Sequence, residues 1–180
     1  MTFSNEKYEA TGETKQVYGI TLYRIRSLVD IPLRGVKKGE LGGWIEGEKN
    51  LSTTGDAWVG DNASVYENAC VFGNAWVSDN ARVCGDALVY DNAYVYDNAF
   101  VFGKAHVFGK ARVFGNAHVY DDAWVSGDAS VCDDAEVYGS AWVYGNAHVY
   151  DNAHVYDNAR VYGNADVCDD VHVCGVTEVY

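Results

Sequence analysis

The sequence has a single proline and a single methionine, and its five cysteines form no CxxC pair. One proline beside nineteen glycines excludes a collagen-like or proline-rich chain. No apolar run approaches the roughly 18 residues of a membrane-crossing helix. Residues Met1 to Glu9 are polar and lack the apolar stretch of a secretory signal. Cys70, Cys84, Cys132, Cys168 and Cys174 are odd in number and have no evident mate, which points to reduced thiols and a cytoplasmic location. No membrane contact and no cofactor is expected.

Positive charge is scarce as well. There are 13 Lys and Arg against 26 Asp and Glu, a net charge of −13 over 180 residues. At 48% apolar content the chain is no disordered acidic tail, and its length suits one folded unit with a real core. The imbalance is local. Residues 1–56 hold eight basic and eight acidic side chains, whereas residues 57–180 hold five and eighteen. From Val113 onward Arg160 is the lone base. Such a surface repels phosphates, so direct nucleic-acid binding is not expected.

What is abundant is order. Ala recurs every six residues from Ala57 to Ala165, nineteen times, and Val every six from Val59 to Val179, twenty-one times. The unit reads V-[Y/F/S/C]-[G/D]-[N/D/K]-A-x, as in Val89-Tyr90-Asp91-Asn92-Ala93-Tyr94. A period of six fits neither an α-helix nor one long strand. It fits a parallel β-helix in which each unit is a short strand and a turn. Three units close a triangular coil, so residues 18 apart stack about 4.8 Å apart. Val and Ala point inward, and the residues flanking Val point outward. The Gly/Asp-Asn pair supplies the positive φ of a tight corner. The expected fold is all-β, with about seven triangular coils over residues 57–180 and a small N-terminal hairpin and cap over residues 1–56.

This pattern resembles the hexapeptide-repeat superfamily, and the resemblance implies a left-handed coil. In the N-terminal part, Lys7–Ala10 and Val17–Leu28 read as two strands joined by a turn around Gly12. Trp44, Ile45 and Leu51 are expected to cover the first coil. The stretch Gly42-Gly43-Trp44-Ile45 followed by Asn50-Leu51-Ser52 resembles the lead-in segment of YdcK-type proteins, which are often labelled acyltransferases and occur also in phages and prophages.

Acyltransferases of the superfamily typically place a His general base beside a loop that leaves the coil. Here no insertion interrupts residues 57–179, and all five His occupy the outward position of regular units. No catalytic residue is carried over. Stacking by 18 gives other candidates. His118, Glu136, His154 and His172, with Cys174 two residues on, are metal-ligand types on neighbouring rungs. Trp58, Trp76 and Tyr94 form one aromatic column, and Trp124, Trp142 and Arg160 another; stacked rings bind sugars, bases or proteins. The corner Asp61, Asp79, Asp97, Asp133, Asp151, Asp169 is a carboxylate ladder.

The last units degrade, and Val171, Val173, Val176, Val179 and Tyr180 are expected to meet another subunit, end to end in a homodimer or laterally in a trimer. The leading reading is a non-catalytic, homo-oligomeric interaction or scaffold protein. It would be of phage type, bind a host protein, and use its acidic rod as a nucleic-acid mimic. Its rivals are an acyl- or acetyltransferase using acyl-CoA, and a binder that sequesters a small nucleotide or sugar on the aromatic ladders.

Overall fold

A computed structural model describes residues 3–180. It is a β-solenoid with three parallel faces and no α-helix among the described residues. β1 (Tyr8–Val17) and β2 (Ile20–Ser27) form an antiparallel hairpin, and β3 (Leu41–Ile45) pairs with β2. Twenty-one two-residue strands follow, from β4 (Trp58–Val59) to β24 (Glu178–Val179). Every repeat strand pairs in parallel with its equivalent 18 residues away, as in Trp76↔Tyr94 and Val77↔Val95.

The inward side of each strand is valine. From Val59 to Val161 each repeat valine is 0% exposed, and so is each repeat alanine from Ala57 to Ala159. The β-branched valine suits an extended residue whose neighbours above and below are identical to it. Alanine sits beside the corner, where the chain turns too sharply for a larger side chain. The ladders run along the axis: Trp76 N–H donates to Ala93 O at 2.9 Å and Ser78 N–H to Val95 O at 3.0 Å.

At each corner the residue before Asn, Asp or Lys is left-handed. Glycine fills many of these sites, and aspartate fills others, with φ of 57° at Asp79 and Asp97. Aspartate tolerates this region because its side chain bonds locally. Here it bonds along the axis: Asp97 Oδ2 accepts Gly115 N–H at 3.1 Å. The next corner residue makes a second ladder, with Asn62 Nδ2 donating to Asn80 Oδ1 at 3.1 Å and Asn98 Nδ2 to Asn116 Oδ1 at 3.2 Å.

The N-terminal part differs from expectation in two ways. The hairpin turn is Tyr18-Gly19, with φ of 49° and 84°, while Gly12 lies beside a register shift inside β1. Two consecutive positive φ values match the twist of a tight hairpin. Also, β3 pairs in parallel with Ser64–Val65, and Leu51 bridges Val71, so the winding starts about one turn earlier than the Val/Ala period reveals. Gly42 and Gly43 hide this turn. Ile45 takes the place of the repeat valine and Gly43 that of the alanine, where a Cβ would lie 2.7 Å from Ala63 O, so even a methyl group has no room there.

This end is closed by polar side chains. Each rung's N–H groups serve carbonyls of the following rung, so the first full rung needs donors from elsewhere. Trp44 N–H donates to Ala63 O and Ser52 N–H to Val71 O. Asn50 Nδ2 reaches Ala69 O at 2.8 Å and Glu67 O at 3.0 Å. The buried Lys7 Nζ donates to Ser52 O, Gly55 O and Ala57 O at 3.1, 3.0 and 2.7 Å. Tyr8 OH donates to Leu51 O at 2.6 Å. At the other end the last strand of each face has no further neighbour, and Val171, Val176 and Tyr180 are exposed. Val171 stands where earlier units have alanine, on the last rung, which no further coil covers.

Candidate functional site

The outward residues form three faces, each with its own chemistry. On the first, Arg82, Phe100, His118, Glu136, His154 and His172 occupy successive rungs. Phe102, Tyr120, Tyr138 and Tyr156 stack beside them at 4.8, 4.9 and 5.0 Å. The structure brings Glu136 and His154 together, with His154 Nδ1 3.7 Å from Glu136 Oε2. Glu136 also accepts Tyr120 OH at 2.9 Å. His172 stacks flat on His154 at 4.6 Å and sets its edge to Tyr156, His118 sets its edge to Phe100, and Cys174 raises the Tyr156 phenol above its usual range. These ligand types therefore run in a line, each with a ring or phenol neighbour. Among the described residues, the His, Cys, Asp or Glu group whose ligand atoms all lie within 4.8 Å of one another is Asp151, Cys168 and Asp169. Their contacts are the ordinary corner bonds, Cys168 Sγ to Asp169 Oδ2 and Asp169 N–H to Asp151 Oδ2.

The second face carries Trp58, Trp76, Tyr94, Arg112, Ser130, His148 and Asp166. Trp58 does not belong to its open surface. It is 1% exposed, covered by β3, where a Cβ on Gly42 would meet its ring. The open part begins at Trp76. There a cavity of about 520 Å³ is lined by Trp76, Ser78, Asp79, Tyr94, Tyr96 and Arg112. It exists because the two outward residues after valine on the first rungs are Gly60 and Ser78, whereas this position is Tyr or Phe in 14 of 21 units. Arg34, from the 3-10 turn Pro32–Arg34, lies over this face. Its guanidinium sits 4.7 Å above the Tyr94 ring and 5.9 Å from Trp76, and Nη1 donates to Tyr94 OH at 2.6 Å. Its Nε and Nη2 are buried without a hydrogen-bond partner. Sequence reasoning missed Arg34, Ser78 and Tyr96; the small residues at positions 60 and 78 were the available signal.

The third face is the most apolar. His106, Trp124 and Trp142 stack at 4.8 and 5.1 Å, and Arg160 caps the stack 5.7 Å from Trp142. Beside them Phe72, Tyr90 and Phe108 stack at 4.9 Å, and Tyr144 on Tyr162 at 5.1 Å. Trp142 is 42% exposed. His106 Nδ1 is buried without a partner, and burial pushes its imidazole below the usual range. The acidic edge of the prism lies opposite this face. The corner between the first and second faces holds Asp61, Asp79, Asp97, Asp133, Asp134, Asp151, Asp169 and Asp170 and no basic residue.

Residues 111–128 and 153–169 match the family described as the YdcK beta solenoid repeat. The chain is a β-solenoid repeat protein. The two matched stretches, similar to that repeat, each span close to one complete coil. No curated protein matches it. No helix among the described residues is long and apolar enough to cross a membrane.

Proposed function

We propose that this β-solenoid is a non-catalytic interaction protein that self-associates laterally through the third face. The observation that carries the reading is the stacked strip His106–Trp124–Trp142, continued by Arg160 and flanked by further rings. Aromatic rings with an arginine at their edge are the side chains that dominate protein interfaces. Charge supports a second copy as the occupant. Two chains of net charge −13 repel, and pairing through this face sets the two acidic corners as far apart as the triangular section allows. Rings already held by their neighbours in a ladder also lose little side-chain freedom on binding.

Sedimentation of the wild type and of Trp142→Asp tests this. The wild type is expected to sediment as an oligomer at micromolar concentration, and the variant to associate at least about tenfold more weakly with unchanged circular dichroism. A wild type that stays monomeric at about 100 μM, far above the usual range for specific complexes, would refute it. So would a Trp142→Asp protein that assembles as well as the wild type.

A further inference from the structure

We infer that the cavity on the second face is a binding site for an acidic saccharide, one whose pyranose rings each bear a single carboxylate. Three independent features point there. The floor offers Trp76 and Tyr94 on consecutive rungs, with Tyr96 beside them held by stacking on Phe114 at 4.9 Å. Flat ring faces of this kind take the C–H face of a sugar ring. The flanks carry positive charge where the chain has little to spare. In the repeat region with its five basic residues, Arg112 lines the cavity, and Arg34 is brought over the same rings from outside the repeat. Neither guanidinium has a carboxylate within 4.0 Å among the described residues; within the repeat the same holds for Arg82, whereas Lys104, Lys110 and Arg160 each have one. Arg112 Nη2 donates to Ser130 Oγ at 3.2 Å, and Arg34 reaches a phenol; both partners are neutral. Planar guanidinium groups match a carboxylate through paired hydrogen bonds.

The third feature sets the class of ligand. Asp79 also lines the cavity, with Ser78 Oγ donating to its Oδ2 at 3.0 Å. A carboxylate at this point accepts from hydroxyl donors and repels a multiply charged phosphate. The sugar ring that satisfies ring faces, arginines and Asp79 together has an apolar face, one negative charge of its own and several hydroxyls. A uronic-acid residue has all three. The volume, about 520 Å³, is in the range of small-molecule sites. This site is on a different face from the proposed self-association strip and does not depend on it.

Calorimetric titration with trigalacturonate tests the assignment, with maltotriose and AMP as comparison ligands. Saturable binding of trigalacturonate is expected, at least about tenfold tighter than maltotriose, because the arginines face an anion. Arg112→Gln and Tyr94→Ala are each expected to weaken it about tenfold or more, a loss of about 1.4 kcal/mol per decade. Both side chains are exposed, and folding of each variant is checked by circular dichroism. Lys104→Gln, an exposed basic residue at another corner, is expected to leave the affinity unchanged. The assignment is overturned if trigalacturonate shows no saturable binding, or if Arg112→Gln and Tyr94→Ala bind it as the wild type does. Tighter binding of AMP or maltotriose than of trigalacturonate would overturn the choice of ligand class.

Discussion

Lys7→Met removes a buried ammonium from the end of the solenoid. Its Nζ donates to three backbone carbonyls, of Ser52, Gly55 and Ala57, and the residue is 4% exposed. A buried carbonyl left without a donor costs about 1–3 kcal/mol, which applies in full to Ala57 O; Ser52 O and Gly55 O are partly solvated and lose about 0.5–1.5 kcal/mol each, so the sum is about 2–6 kcal/mol. An opposing effect is the relief of burying a charge. Burial, partly countered by Asp56, pulls the Lys7 ammonium from 10.5 down to about 8. Holding it charged at pH 7 therefore costs at most about 3 kcal/mol. The net expectation is a loss of at least about 1 kcal/mol at pH 7, read from urea unfolding followed by circular dichroism. The pH dependence supplies a second reading. The folded-state value lies below the unfolded one, so between about pH 8 and 10.5 the unfolded chain binds more protons, and the contribution of Lys7 rises with pH. Below about pH 8 both states are protonated and that contribution is flat. Methionine has no such proton. The gap between wild type and variant is thus expected to widen from pH 8 to 10.5. Lys15 is also lowered to about 8, but it is present in both proteins and cancels in the difference. A gap under about 0.5 kcal/mol at pH 7, the scatter of ordinary surface changes, would refute the reasoning, as would a gap that narrows with rising pH.

Three further outcomes follow from the corner and the third face. Gly103→Val is expected to destabilise by about 2–3 kcal/mol in the same unfolding assay, because φ is 69° and an added Cβ would lie 2.8 Å from Asp121 N. Asp121→Gly at the equivalent corner, with φ of 58°, is expected to stay within about 1 kcal/mol of wild type, losing one exposed hydrogen bond while gaining a residue suited to the angle. His106→Gln is expected to remove part of the stability lost on acidification. Burial lowers the folded-state value of the imidazole, so the unfolded chain takes up its proton first, and stability falls as pH drops below about 6.5. Parallel unfolding curves for wild type and variant between pH 7 and 5 would contradict this.

Much of the architecture was legible because the Val/Ala period is a direct image of the core. A strand of two residues between sharp corners leaves one inward place for a β-branched side chain and one for a methyl group. The corner aspartates were legible as turn residues, though their carboxylates also bond the next rung. Other features left no trace in the period. Gly42 and Gly43 begin the winding without its signature, since the chain packs there against Trp58 and Ala63 O. Gly12 has the composition of a turn, yet Tyr18-Gly19 makes it. Trp58 belongs to an outward column by spacing and is buried by a segment whose path spacing does not describe. For the same reason the cavity on the second face was only half legible. Trp76 and Asp79 came from the repeat, whereas Arg34 arrives from 60 residues away in sequence, over Tyr94.

The donor-rich plug at the first rung has a bearing on how the chain winds. Val101 and Val119 have nearly the same neighbours, so a coil nucleated in the middle has little to distinguish the correct pairing from one displaced by a full turn of 18 residues. Among the described residues, the rung held by Lys7, Tyr8 and Asn50 has its backbone carbonyls served by side chains that no later rung meets. It acts as the origin of a ruler. Each later rung is placed by counting from it, through contacts that span a short loop and so form quickly. The plug is also synthesised before the rungs it anchors, so winding in the order of translation reaches the native phase without having to search for it.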